Sequence, residues 1–245
     1  MKYRLLGFSF LFSLIIVWEI ISLSMGRPLY VPSVFHIARS TLDIFSEGWF
    51  YSELFMTIWR CLAGLGLAIV VGIPIGLLVG RTKSLRALLS PTIEAFRPLP
   101  SAAIIPVAIL FLGIDSETNI FVISYGCIWP ILINTIDGTI SLGRTREQSL
   151  KLLGLSRLDE LRLVVLPAAM PAVFTGIRIS AAIALILAIT VELILGRDGL
   201  GYVLVDTQRG YRYGQMYGSI AVIAFVGFLA NASIDLMRNR IIHWR

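Results

Sequence analysis

Apolar residues fall into long runs separated by short polar breaks, and the length of the runs decides what they can form. Leu5–Leu23, Leu54–Gly80, Ile93–Gly113, Asn119–Ile140, Ala168–Leu195 and Tyr217–Leu236 each approach or exceed the roughly 20 residues a helix needs to cross a bilayer. The pattern predicts an all-α membrane protein of about six transmembrane helices, with residues 1–245 forming one membrane domain. Within the second run Gly64, Ala68, Gly72, Gly76 and Gly80 recur every fourth residue. The fifth run repeats the pattern at Ala168, Ala172, Gly176, Ser180, Ala184 and Ala188. Ridges of small residues let helices approach closely in lipid, so both predict packing surfaces, the second on a helix expected to line a pathway. Pro91, Pro98, Pro100 and Pro106 crowd the third run and predict a broken helix, because each removes a backbone donor and displaces a carbonyl.

Two polar breaks are long. Arg27–Ser52 contains an amphipathic stretch, Phe35–Phe45, expected to lie on a membrane surface, followed by the interfacial aromatics Trp49, Phe50 and Tyr51. Gly196–Met216 is a polar external loop rich in Gly and Tyr. The remaining interruption, Glu147–Pro167, is the most highly charged. Leu150 and Leu153 before Gly154, then Leu155 and Leu158 after it, keep helical spacing. Gly154 suits the end of one short helix, Ser156 and Asp159 suit the start of the next, and Pro167 is placed to close the segment and open the fifth helix. A helix–glycine–helix with a leucine ridge and a charged rim (Arg157 among its charges) suits docking on a soluble partner. An amphipathic helix lying flat at the membrane surface fits the same periodicity.

Composition narrows the picture further. The chain is 57% hydrophobic and 15% charged, which excludes an ordinary soluble domain. Its net charge of +6 does not point to nucleic acid, because the basic residues cluster at the ends of apolar runs. Lys2, Arg4, Arg81, Lys83, Arg86, Arg144, Arg146, Lys151, Arg157, Arg162, Arg238, Arg240 and Arg245 fall on one side of the assigned membrane. Arg27, Arg39, Arg197, Arg209 and Arg212 fall on the other. The richer side is expected to be cytoplasmic, with both termini. The first run competes with a cleaved signal peptide, but its length, Glu19 and the poor cleavage site Met25-Gly26-Arg27-Pro28 favour a retained span.

Catalytic patterns are missing from the sequence. It has no G-x-x-x-x-G-K-[ST] phosphate loop and no HExxH, His36 and His243 stand far apart, and Cys61 and Cys127 lack metal-ligand spacing. Neither a catalytic, a cofactor-binding nor a metal site is predicted. Polar residues in or near the spans are costly there and are candidates for a solute path or gate: Arg97, Pro100, Pro130, Asn134, Asp137, Arg178 and Glu192. Local ion pairs, Glu94 with Arg97 and Asp137 with Arg178, are the plainer reading.

The run Glu147-Gln148-Ser149, then Gly154, then Val164-Val165-Leu166-Pro167 resembles the cytoplasmic EAA loop of ABC importer permeases, with Gln148 and Ser149 in place of two alanines. Arg97-Pro98-Leu99-Pro100, Pro106-Val107-Ala108-Ile109-Leu110, Pro130-Ile131-Leu132-Ile133-Asn134-Thr135 and Gly199-Leu200-Gly201-Tyr202 are similar to the nitrate, sulfonate and taurine branch. The resemblance implies a type I importer core over 53–237 and a coupling loop over 144–167 that contacts the ATPase through Glu147, Leu150, Leu153, Gly154, Leu155, Ser156, Arg157, Leu158 and Pro167. It implies two ATPase subunits carrying ATP and Mg, an extracytoplasmic solute-binding protein, a second copy or a homologous permease, and residence in the bacterial inner membrane. A small oxyanion is the expected solute. A self-sufficient secondary transporter is the main alternative, and it lacks the matched broken helices such a protein needs. A membrane-embedded enzyme would need a cluster of His, Asp or Glu at one membrane face.

Overall fold

The computed structural model describes residues 2–24, 30–141 and 156–242. Among them the chain is helical throughout: α1 Lys2–Ser24, α2 Val34–Ser46, α3 Gly48–Arg81, α4 Lys83–Phe96, a 3-10 turn Ser101–Ile104 leading into α5 Ile105–Leu112, α6 Ser116–Ile140, α7 Arg157–Glu160, α8 Leu166–Leu195, α9 Leu200–Arg209 and α10 Tyr213–Ile241. Four helical runs, Gly48–Arg81, Ser116–Ile140, Leu158–Leu195 and Tyr213–Ile241, are long and apolar enough to cross a membrane. The third predicted span is a bent pair, Lys83–Phe96 and Ser101–Leu112, turned by 83°. Its start differs from expectation, since the basic turn near Arg81 is followed at once by a helix carrying Lys83 and Arg86. The predicted loop Gly196–Met216 is also more ordered than its polarity suggested, for it holds α9 and the start of α10.

Two compact units divide the chain: Met1–Met56 with Gly196–Val226, and Thr57–Leu195 with Gly227–Arg245. In the first, the surface helix expected from amphipathicity is α2. Ser33 caps it by accepting from the His36 amide at 3.2 Å. Glu19, the charge that interrupts the first apolar run, accepts from the Val34 amide at 2.7 Å, where a carboxylate compensates the exposed donors of a helix start. Gly214 and Gly218 let α10 run against α2, because a Cβ at either would meet His36, Ser40 or Thr41 at 2.5–2.9 Å. Glu53 accepts from the amide of Gly199, a residue at φ 92 that closes the turn into α9.

The second unit is built around α6, and the two small-residue ridges explain how. A Cβ at Gly64, Gly72, Gly76 or Gly80 would meet Ile123, Ile131, Thr135 or Thr139 at 2.5–3.1 Å. Residue numbers rise together, so α3 and α6 are parallel. On the other side of α6, Ala172 faces Gly138, Gly176 faces Pro130 and Ile131, and the Ser180 hydroxyl donates to the Cys127 carbonyl at 2.7 Å. Here the numbers run in opposite senses, so α8 is antiparallel. Ala68, Ile123, Cys127, Ile131, Ala184, Leu187 and Ala188 form the shared core. Outward-facing apolar residues such as Leu110 and Phe111, 80% and 79% exposed, suit lipid or a neighbouring membrane helix.

Candidate functional site

The site begins where α4 cannot continue. Pro98 and Pro100 bring no amide protons to continue the helical ladder, so α4 ends with Arg97 as its cap, still in helical dihedrals, and the chain re-enters helix only at Ser101. Tyr125 on α6 holds the end of α4, its hydroxyl donating to the Phe96 carbonyl at 3.0 Å. The turn then closes over Gly126. A Cβ there would lie 2.9 Å from the Ser101 hydroxyl and 2.3 Å from Leu187, so a side chain at 126 would push the break outward. Pro130, four residues on, supplies no amide proton to the Gly126 carbonyl.

Between the break, α6 and α8 lies a cleft of about 430 Å³, lined by Arg97, Leu99, Pro100, Ser101, Gly126, Trp129, Pro130, Ile133, Asn134, Ile179 and Ile183. Four candidates from the sequence therefore meet here: Arg97, Pro100, Pro130 and Asn134. Arg97 does not pair with Glu94, as the local-pair reading expected, and it is the one charged residue among the described residues lining the cleft. Asn134 donates its amide to the Pro130 carbonyl at 2.8 Å, which leaves its side-chain oxygen as an acceptor. Ser101, Gly126, Ile179 and Ile183 carried no signal of their own, because each becomes a wall residue only through contact between helices.

The other three candidates lie elsewhere. Asp137 is exposed farther along α6. Arg178 pairs at 3.2 Å with Asp235 of α10, not with Asp137. Its neighbour Ile179 faces the cleft, and one residue is about 100° of helix rotation, so Arg178 is turned toward α10. Glu192, 1% exposed, sits in a buried polar cluster. Arg60 contacts it at 3.2 Å, the Thr57 hydroxyl lies 2.9 and 3.0 Å from its two oxygens, and the Arg60 guanidinium also donates twice to Ser116 at 3.1 Å. The sequence reading passed over Arg60, although an arginine inside an apolar run is a signal of the same kind.

Of the expected docking segment, Glu147, Leu150, Leu153, Gly154 and Leu155 lie outside the described residues. Ser156 does open a helix: its oxygen accepts from the Asp159 amide at 3.2 Å and its hydroxyl donates to the Asp159 carboxylate at 2.5 Å. Arg157 and Leu158 stand on α7, and Leu158 is exposed. Glu160 pairs with Arg81, at the end of α3, at 2.8 Å. Pro167 does not end the segment. A π turn over Leu161–Val165, in which the Leu166 amide donates to the Leu161 carbonyl, joins α7 to α8 without a break. The wide turn re-registers the helix just ahead of a residue that has no amide to donate and would clash with the carbonyl four residues back.

Residues 72–244 match the family of binding-protein-dependent transport system inner membrane components. The chain belongs to this family. It is a multi-pass membrane permease of the ABC importer type, a transport component and not an enzyme, and such permeases work with ATPase and solute-binding partners. It is 28% identical over 232 residues to the taurine transport system permease of Escherichia coli (strain K12), covering 93% of this chain and 84% of that protein. It is also 28% identical over 236 residues to the formylaminopyrimidine transport permease of Halalkalibacterium halodurans, covering 96% and 94%. Its fold is similar to that of the solved MetNI methionine ABC transporter in inward-facing form, with a TM-score of 0.69 at 17% identity, covering 78% of this chain and 95% of that one. The comparisons lend no support to a self-sufficient secondary transporter.

Proposed function

We propose that this permease, paired with a second copy or a homologous permease, forms a solute path driven by two ATPase subunits docked on residues 144–167. ATP and Mg are held on those subunits. An extracytoplasmic binding protein delivers the solute, and both permease termini and the docking segment face the cytoplasm. The observation that carries this reading is the unbroken helical run from Arg157 to Leu195. Displacement of its first turns is transmitted along a stiff rod to Ile179 and Ile183, which wall the cleft, as rigid-body switching requires. The Arg81–Glu160 pair gives the rod a second attachment near its start.

The solute class we infer is a small oxyanion. Relatives of equal identity are named for taurine and for formylaminopyrimidine, so similarity alone does not choose. The lone Arg97 charge in the cleft favours the anion.

The test is co-purification with the cognate ATPase, wild type against Gly154→Val, followed by ATP-driven uptake in liposomes. Loss of association or of coupling in the variant, with normal membrane insertion, supports the docking assignment. Normal transport by Gly154→Val counts against it, and import of a neutral or cationic solute removes the oxyanion reading.

A further inference from the structure

We propose that Glu94 and Arg97 meet the partner's Arg97 and Glu94 across a two-fold axis when a second copy of this chain packs against the α4–α5 break, and that this reciprocal contact closes the path at mid-membrane. The inference rests on the importer reading and names the residues each copy contributes to the closure.

Depth is the first argument. Leu85, Leu89 and Ile93, one per turn of α4, pack with Val79, Leu132 and Ile136, so α4 runs along α6. The Tyr125 hydroxyl fixes its end by donating to the Phe96 carbonyl at 3.0 Å. Tyr125 stands about 14 Å from one end of α6 and about 22 Å from the other, well inside a hydrocarbon layer of about 30 Å. Glu94 and Arg97 lie within a turn of Phe96, at nearly the same depth. Both are exposed, and neither makes a side-chain hydrogen bond or ion pair with the described residues. Lipid is a costly neighbour for such groups. Water covers them while the path is open, but closure expels it, and each charge then needs an opposite one.

Charge complementarity is the second argument, and it selects a second copy as the occupant. A two-fold axis along the membrane normal holds equivalent residues at equal depth, and its interface is self-complementary. Opposite charges three residues apart on one helix, about 4.5 Å along its axis, satisfy that condition. Glu94 of each copy faces the partner's Arg97, and an extended arginine side chain spans the difference in height. Phe96 and Leu99, 47% and 46% exposed, flank the two charges and supply the apolar ring that keeps water from a closed contact. Opening releases Arg97 to the cleft it lines.

The experiment reads contact between two differently tagged copies in the permease–ATPase complex in nanodiscs. L99C on both copies is the reporter, treated with a short bismaleimide without nucleotide and with a non-hydrolysable ATP analogue. An inter-copy product is expected in at least one state, and is not expected from the chain carrying only Cys61 and Cys127. E94R or R97E on both copies sets like charges across the axis and should lower the yield at least fivefold. One E94R copy with one R97E copy restores both opposite-charge contacts, and the yield should return to within twofold of the L99C parent. A pair formed within one chain predicts the reverse, because each chain of the mixed complex still carries two like charges. Should the reversals fail to assemble, E94Q and R97Q are used instead: the mixed complex keeps one of the two contacts and should exceed either uniform complex. Absence of an inter-copy product, a yield indifferent to these substitutions, or a mixed complex no better than the uniform ones overturns the proposal. ATPase co-purification is scored in the same samples. A complex that holds its ATPase but shows no such contact removes the closure and leaves the importer reading intact. Charge-dependent contact between copies that bind no ATPase does the reverse.

Discussion

Replacing Glu192 with Ala tests the buried cluster most directly. Glu192 and Arg60 are 1% and 2% exposed, and their 3.2 Å contact joins α8 to α3. Removing the carboxylate takes the 3.2 Å Glu192 contact from the buried Arg60 charge. Stripping one partner from a buried pair costs about 3–5 kcal/mol. The Thr57 hydroxyl loses its contacts with the two Glu192 oxygens as well. At about 2–4 °C per kcal/mol for a chain of this size, the pair alone lowers the unfolding midpoint by about 6–20 °C. The assay is thermal unfolding of the purified permease in detergent, followed by tryptophan fluorescence. The combined variant Thr57→Val, Arg60→Met, Glu192→Leu removes both charges and the Thr57 hydroxyl at similar volume, and is expected within a few degrees of wild type or above it. A drop under about 2 °C for Glu192→Ala, equivalent to roughly 1 kcal/mol or less, would refute the argument. So would a combined variant as unstable as the single one.

Two further substitutions separate contact from composition. Gly76→Ala places a Cβ 2.6 Å from Thr135 and should cost about 1–3 kcal/mol by overpacking. Gly66→Ala, on the same helix with nothing within 4 Å, should be neutral or gain up to about 1 kcal/mol from helix propensity. Equal thermal midpoints for the pair would contradict the ridge. Ser156→Ala removes the cap of the helical run and should cost about 1 kcal/mol locally, read as faster hydrogen exchange at the Asp159 amide, and unchanged exchange there would show that the cap is not needed.

Much of the architecture was legible because a bilayer makes length and hydropathy decisive. Four of the spans, the proline break at Arg97–Pro100, the amphipathic helix α2 and the two ridges all follow from one-dimensional patterns. Pro167 shows the limit of that reading: a proline marks a backbone problem, and the π turn that solves it without ending the helix is set by what the run must stay connected to. Periodicity says which residues share a face of their own helix. It does not say which neighbour that face meets. Thus Gly64–Gly80 announced a close contact, while its partner Ile123–Thr139 emerged only from the packing. Arg178 and Asp137 were each marked as costly charges, yet the partner of Arg178 is Asp235, because rotation about the α8 axis turns residue 178 away from α6. Glu192 was marked and Arg60 passed over, and the two meet across 132 residues of sequence. The cleft itself depends on Gly126 accepting Ser101 and Leu187 at distances no side chain would permit, a fact of three segments at once and of none of them alone.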